Sequence, residues 1–229
     1  MGEFFDWGVI RDSFPQVWEG FLVNMKMWVV AGVIVLIWSL LVALARLVPG
    51  RGGLPLRILA TVYVDVFRGL PTILVFFLVG FGLPIAVPWF QRFSLFQLSV
   101  VALTLSYGGY VGEVYRAGIR SVHPSQAAAA RSLGLSWWQT MRHVVIPQGI
   151  RRVIPPLLND MVSLQKDTAL ASSIGVLEGL RQAFIYAGNH LSPAPLTGIS
   201  LCFLLVTFPL ARVADLLTDR DARKRASSH

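Results

Sequence analysis

The chain is short of cysteine, of charge and of phosphate-binding glycine loops, and each shortage excludes a class of protein. Cys202 is the single cysteine among 229 residues and sits in an apolar run. That excludes disulfides and thiolate metal sites within one chain and leaves it a small buried hydrophobe. None of the 20 glycines is followed by lysine, which removes the G-x-x-x-x-G-K-[ST] loop that cradles nucleotide phosphates. His123, His143, His190 and His229 lack metal-ligand spacing, and neither G-x-S-x-G nor H-E-x-x-H occurs. No catalytic residue, no metal site and no cofactor on this chain are therefore expected. Internal repeats, low-complexity tracts and long linkers are also missing, so one domain over residues 1–229 is the simplest expectation.

Charged residues make up 14% of the chain, against about 25% in soluble domains, while 55% is hydrophobic and the mean hydropathy is +0.62. Three uncharged runs, Met27–Ala45, Gly69–Gln91 and Phe93–Gly112, are long enough to cross about 30 Å of hydrocarbon as helix. A fourth, Gln182–Ala211, begins with Gly188, Asn189, Ser192, Pro193 and Pro195, which places its span proper after Pro195. Near the N-terminus Glu3, Asp6, Arg11 and Asp12 precede any apolar core, so a cleaved signal is not expected there.

The net charge of +8 is distributed as topology rather than as a polynucleotide groove, and no nucleic-acid partner is expected. Arg11 stands alone before the first span, and Arg46, Arg51 and Arg57 follow it. Arg92 comes alone. Then Arg116, Arg120, Arg131, Arg142, Arg151 and Arg152 stand together, Arg181 alone, and Arg212, Arg220, Arg223, Lys224 and Arg225 in the tail. Poor and rich segments alternate, as the bias of cationic loops toward the cytoplasm requires. The alternation demands a span in the more polar stretch Arg152–Gly179. Five spans in contact with lipid result, at about 20–47, 56–82, 94–119, 148–171 and 195–217, with the N-terminus outside and the C-terminus cytoplasmic. Pro84, Pro88 and Trp89 suggest an interfacial segment after the second span.

The cytoplasmic loop 120–147 reads as two short helices. Gln126–Leu133 is alanine-rich, Gly134 suits a helix stop, Ser136 an N-cap for Trp137–His143, and Pro147 the start of a longer element. Helices in a polar loop imply docking on a soluble partner.

The stretch Gln126-Ala127-Ala128-Ala129-Ala130-Arg131-Ser132-Leu133-Gly134, followed by Val145-Ile146-Pro147-Gln148, resembles the cytoplasmic "EAA" loop of permeases in ATP-binding-cassette (ABC) importers. Tyr63–Pro71, Tyr110–Gly118, Pro156–Asp160 and Lys166–Leu170 look like the polar-amino-acid branch of that family, in order over residues 17–217. The resemblance implies an all-α, five-span type I permease fold with short coupling helices, in the plasma (inner) membrane of a prokaryote. It implies paired permease subunits, two ABC ATPases that bind ATP and Mg, and an extracytoplasmic amino-acid-binding protein. Gln126, Ala128, Ala129, Ala130, Arg131, Gly134 and Pro147 would couple to the ATPase. Ala128 stands where the motif has glutamate, so one charged contact is missing.

Ionisable groups within spans are costly and default to functional roles. Arg68 lies deep in the second span, and Gly69 and Pro71 after it should interrupt the helix and free backbone groups. It can hold a substrate carboxylate or bridge to Asp65 or a neighbouring helix. Glu113 can pair with Arg116 one turn on or face the substrate pathway. Asp160 and Asp167, seven residues apart, share a helix face, with Lys166 about 100° away. Together these three suit a zwitterion, or Lys166 and Asp167 tie a helix end to a second subunit. Pro155 and Pro156 should bend the fourth span as a gate. Two rival readings remain, a stand-alone ion- or proton-coupled carrier or channel, and an intramembrane enzyme on the same carboxylates. The first lacks an inverted repeat and the second a nucleophile.

Overall fold

The computed structural model describes residues 2–226, and among them every regular element is helical. After a 3-10 turn at Gly2–Phe5, α1 runs over Trp7–Ala45, thirteen residues longer at its start than the expected span. The early start has a local cause. The Asp6 carboxylate accepts from the backbone N–H groups of Gly8 and Val9 at 3.0 and 3.2 Å, satisfying donors that a helix leaves open at its first turn.

A tight turn containing Gly50 at φ +79° leads into α2, Leu54–Gly69. There the chain breaks. Leu70 is extended, Pro71 caps α3 at Thr72–Phe77, and a wide turn at Leu78–Gly82 joins α3 to α4 at Leu83–Ala86. The halves on either side of the break are bent by 109°. A 3-10 turn over Pro88–Arg92 follows, with the Trp89, Phe90 and Phe93 rings packed on one another.

Helix α5, Leu95–Arg120, starts at a reciprocal cap between Ser94 and Gln97 and forms the centre of the bundle. Next come α6 at Pro124–Ser132, α7 at Trp137–Thr140, α8 at Ile146–Asp167, a 3-10 run at Thr168–Ile174, α9 at Gly179–His190 and α10 at Ala194–Ala226. The main core gathers Met27, Ala31 and Val35 of α1, Leu103, Tyr107 and Val111 of α5, and Leu157 and Leu164 of α8. Small residues set two crossings. A Cβ on Gly149 of α8 would lie 2.9 Å from Cα of Ile119, and one on Gly20 of α1 would lie 2.7 Å from the backbone at Glu178 and Gly179, so these backbones approach only because no side chain intervenes.

Helices α1, α5 and the Ala194–Thr218 part of α10 are long and apolar enough to cross a membrane, and the bent pair supplies a fourth crossing if it is one span. Helix α8 has 22 residues, enough for about 33 Å of rise. Arg151, Arg152, Asp160, Lys166 and Asp167 make it more polar than the others, and it packs against α1, α5 and α10.

Candidate functional site

Two sets of residues draw attention, the loop between α5 and α8 and the ionisable groups among the helices. In the loop, the His123 ring accepts from the backbone N–H of Ser125 at 3.2 Å and so caps α6. The helix stops where expected. Gly134 has φ +87°, and the Leu135 N–H donates to the Ala130 carbonyl at 3.2 Å, the six-to-one bond of a glycine-terminated helix. Arg131 reaches the Leu135 carbonyl at 3.2 Å. Gln126, Ala128, Ala129 and Arg131 are exposed and Ala130 is buried. Ala128 therefore presents a bare methyl group where the resemblance leads one to look for a carboxylate. Beside it Leu133 is 82% and Trp138 61% exposed, an apolar surface that a polar loop does not otherwise keep.

The second short helix differs from the expectation. Ser136 and Gln139 form the reciprocal cap at its start, but α7 does not end before Pro147. A π-turn at Met141–Val145 carries it directly into α8, with Val145 still in helical geometry. Pro147 lies in the first turn of α8 and is exposed. Lacking an N–H it cannot complete the ordinary ladder, and the wider turn just before it keeps the helix going. Nor is α8 interrupted at Pro155 and Pro156, which lie inside it. The departure from regular α-helical hydrogen bonding in this stretch is the π-turn at Met141–Val145. A buried cluster of Ile119, Val122, Met141 and Val145, joined by Ala127 and Trp137, fastens the loop to the bundle, and Arg152 donates to the Ser121 carbonyl and hydroxyl.

Among the ionisable groups, Glu113 is fully engaged. Its Oε2 accepts from Arg46 Nη1 at 2.6 Å and Arg116 Nε at 2.9 Å, and its Oε1 accepts from Arg116 Nη2. The Arg116 pair was legible from spacing, whereas Arg46 came unannounced from the end of α1. Asp160 contrasts with it. It is half-buried, and its buried Oδ2 has no hydrogen-bond partner among the described residues. Asp167, on the same face, accepts from the Tyr107 hydroxyl at 2.9 Å. Lys166 is turned elsewhere, into a groove of about 410 Å³ lined also by Leu180, Ile199, Phe203 and Thr207. Thr207 donates to Oε1 of the fully buried Gln165 at 2.8 Å, and Nε2 of that amide has no partner among the described residues.

Arg68 lies exposed in the last turn of α2, next to the break at Gly69, Leu70 and Pro71. Among the described residues it forms no ion pair, with Asp65 or otherwise. Its guanidinium carbon stands 5.9 Å from the centre of the Tyr110 ring, and the Tyr110 hydroxyl donates to the Arg68 carbonyl at 3.2 Å. One polar cluster was missed in the sequence. Glu178, fully buried, accepts from Asn24 Nδ2 and from the backbone N–H groups of Leu180 and Arg181 at 2.7–2.9 Å. Asn24 Nδ2 also reaches the Thr168 hydroxyl at 3.1 Å, so the same side chain ties α1 both to the start of α9 and to the 3-10 run after α8. A carboxylate just ahead of a helical stretch was the available signal.

Comparison with known proteins agrees with this geometry. Residues 47–225 match the family described as binding-protein-dependent transport system inner membrane component. The glutamine transport system permease protein GlnP of Escherichia coli (strain K12) is 33% identical over 94% of this chain and 97% of its own. The arginine transport system permease protein ArtQ of Bacillus subtilis (strain 168) is 31% identical over 89% and 93%. The crystal structure of an amino acid ABC transporter with histidines superposes with a TM-score of 0.81 at 29% identity, over 94% of this chain and 98% of that one. The methionine transporter MetNI in an inward-facing form, 16% identical with a TM-score of 0.72 over 89% and 95%, shares the fold.

Proposed function

The chain belongs to the family of binding-protein-dependent transport system inner membrane components, and we propose that it passes an amino acid inward through a pore made with a second permease subunit. It is a membrane-embedded ABC permease subunit rather than an enzyme, and it works with an ATPase and a binding protein. ATP and Mg are held on the ATPase, and a related chain or a second copy of this one completes the pore. Five spans, with α8 as the fourth, put the N-terminus outside and both the α5–α8 loop and the C-terminus in the cytoplasm. Asp160, Asp167 and Arg68 line the route of the solute, while Lys166, directed at the α9–α10 groove, serves a neighbouring subunit.

The observation that carries this reading is the loop itself. An exposed, capped helix, α6, ends at a left-handed glycine beside exposed Leu133 and Trp138. It is pinned by a buried cluster to a helix that enters the bundle. Gly134→Pro tests it, because proline fixes φ near −65° where the chain holds +87°. In the reconstituted complex, uptake that needs ATP and binding protein should fall at least tenfold with the permease still folded. Undiminished ATP-coupled uptake by a folded variant would remove the loop from the mechanism. Gradient-driven uptake by the permease alone would instead establish a stand-alone carrier.

A further inference from the structure

We propose that the groove between α1 and α2 is a binding site for one anionic phospholipid, with a single acyl chain in the groove and the headgroup at the α1–α2 turn. The groove has a volume of about 460 Å³ and is lined by Trp38, Leu41 and Ala45 on α1 and by Leu56, Leu59 and Tyr63 on α2. It lies within the ordinary size range of ligand pockets. Its polar atoms are already satisfied. Trp38 Nε1 donates to the Tyr63 hydroxyl at 2.8 Å, and that hydroxyl donates to the Leu105 carbonyl at 2.9 Å. What faces outward is hydrocarbon and ring, with Leu41 55% and Leu59 69% exposed. The lining covers eight residues of each helix, about 11 Å of rise, ending near the turn that joins them.

Charge at that turn selects the occupant. Arg46, Arg51 and Arg57 flank it, and they differ in what they have to spare. Arg46 is consumed by Glu113 at 2.6 Å. Arg57 donates one N–H to the Val48 carbonyl at 2.8 Å, leaving most of its five donors free, and Arg51 is exposed on the turn. Neither forms an ion pair among the described residues. Arg57 lines the adjoining face of α2 with Ile58, Thr61 and Val62, but its bond to Val48 holds the guanidinium at the turn beyond Ala45 and Leu56, where the groove ends, and there it and Arg51 complement a headgroup of net negative charge. A zwitterionic headgroup brings its own cation and gains less. Basic pockets between helices on the cytoplasmic side recognise anionic lipids in this way, and guanidinium pairs with phosphate through two parallel hydrogen bonds.

The proposal rests on the assignment of this turn to the cytoplasmic leaflet, but its test does not. The purified complex in detergent micelles, where sidedness has no bearing, is given phosphatidylglycerol and phosphatidylcholine of identical chains and examined by native mass spectrometry. The complex should retain one phosphatidylglycerol per permease, with roughly tenfold preference over phosphatidylcholine, on the order expected for two arginines. R51Q/R57Q should bring the two lipids near parity, and Leu59→Trp, which fills an exposed groove, should abolish retention of both without changing the melting temperature. Should loss of the Arg57–Val48 bond prevent folding of the double variant, Arg51→Gln alone must lower the preference severalfold. Equal retention of both lipids by the unaltered complex would overturn the site. So would unchanged retention in the folded variants, or a Leu59→Cys disulfide joining two copies across the groove. None of these results touches the coupling loop, so the transport reading would stand or fall separately.

Discussion

Glu113 on α5 receives hydrogen bonds from two arginines, whereas Asp160 on α8 keeps one buried oxygen without a partner. Both are carboxylates in a bundle built for hydrocarbon, and both reduce stability unless something compensates them. For Glu113 the compensation is internal and complete, which makes it a fastener between α1 and α5. For Asp160 no partner of Oδ2 is found among the described residues, in keeping with the solute-route role proposed for it. Charge inside the bundle therefore divides, among the described residues, into a part that is paired and a part that is not.

Glu113→Gln should give the largest effect on folding. It leaves Arg46 and Arg116 facing an uncharged amide, and breaking such an ion cluster costs about 3 kcal/mol, at the low end because the glutamate side chain is 24% exposed. The melting temperature of the complex should fall clearly, while uptake per folded complex stays within about twofold of the original. Asp160→Asn should invert that pattern. Melting is unchanged or raised, because an unpaired carboxylate has been neutralised, while uptake falls about tenfold, equivalent to about 1.4 kcal/mol of lost transition-state stabilisation. If both variants lose stability alike, the contrast between the two carboxylates disappears. Tyr107→Phe should be mildest. It removes one donor to Asp167, worth about 1 kcal/mol, and a small drop in melting temperature with a modest rise in the KM for uptake is expected. No change in either quantity would exclude Asp167 from the solute route.

Much of the fold could be read locally, and most of what was missed is long-range. The Gly69-Leu70-Pro71 break and the stop at Gly134 follow from residues next to one another in the chain, as does the Ser136 cap. Each satisfies or frees backbone groups within a few positions. Arg46 and Glu113 are 67 residues apart, and Asn24 and Glu178 are 154 apart. Their pairing is decided by how α1 crosses α5 and α9, and no pattern within either segment announces it. The early start of α1 at Trp7 was missed because the expected limits were those of a span, and a helix need not stay within lipid. The continuity of α7 with α8 was missed for a subtler reason. Proline at 147 suits a helix start, and only the π-turn just before it lets the chain enter that proline already helical.

That continuity has a consequence for coupling. Trp137 to Asp167 is one uninterrupted helical run, about 46 Å long. Trp138 rides at its solvent end, and Asp160 lies about two turns from the other. Under the proposed coupling, a displacement imposed on the indole would be carried along this run, through the π-turn and past Pro155 and Pro156, toward the carboxylate. The docking surface and the solute route would then share one continuous element instead of two separately jointed ones.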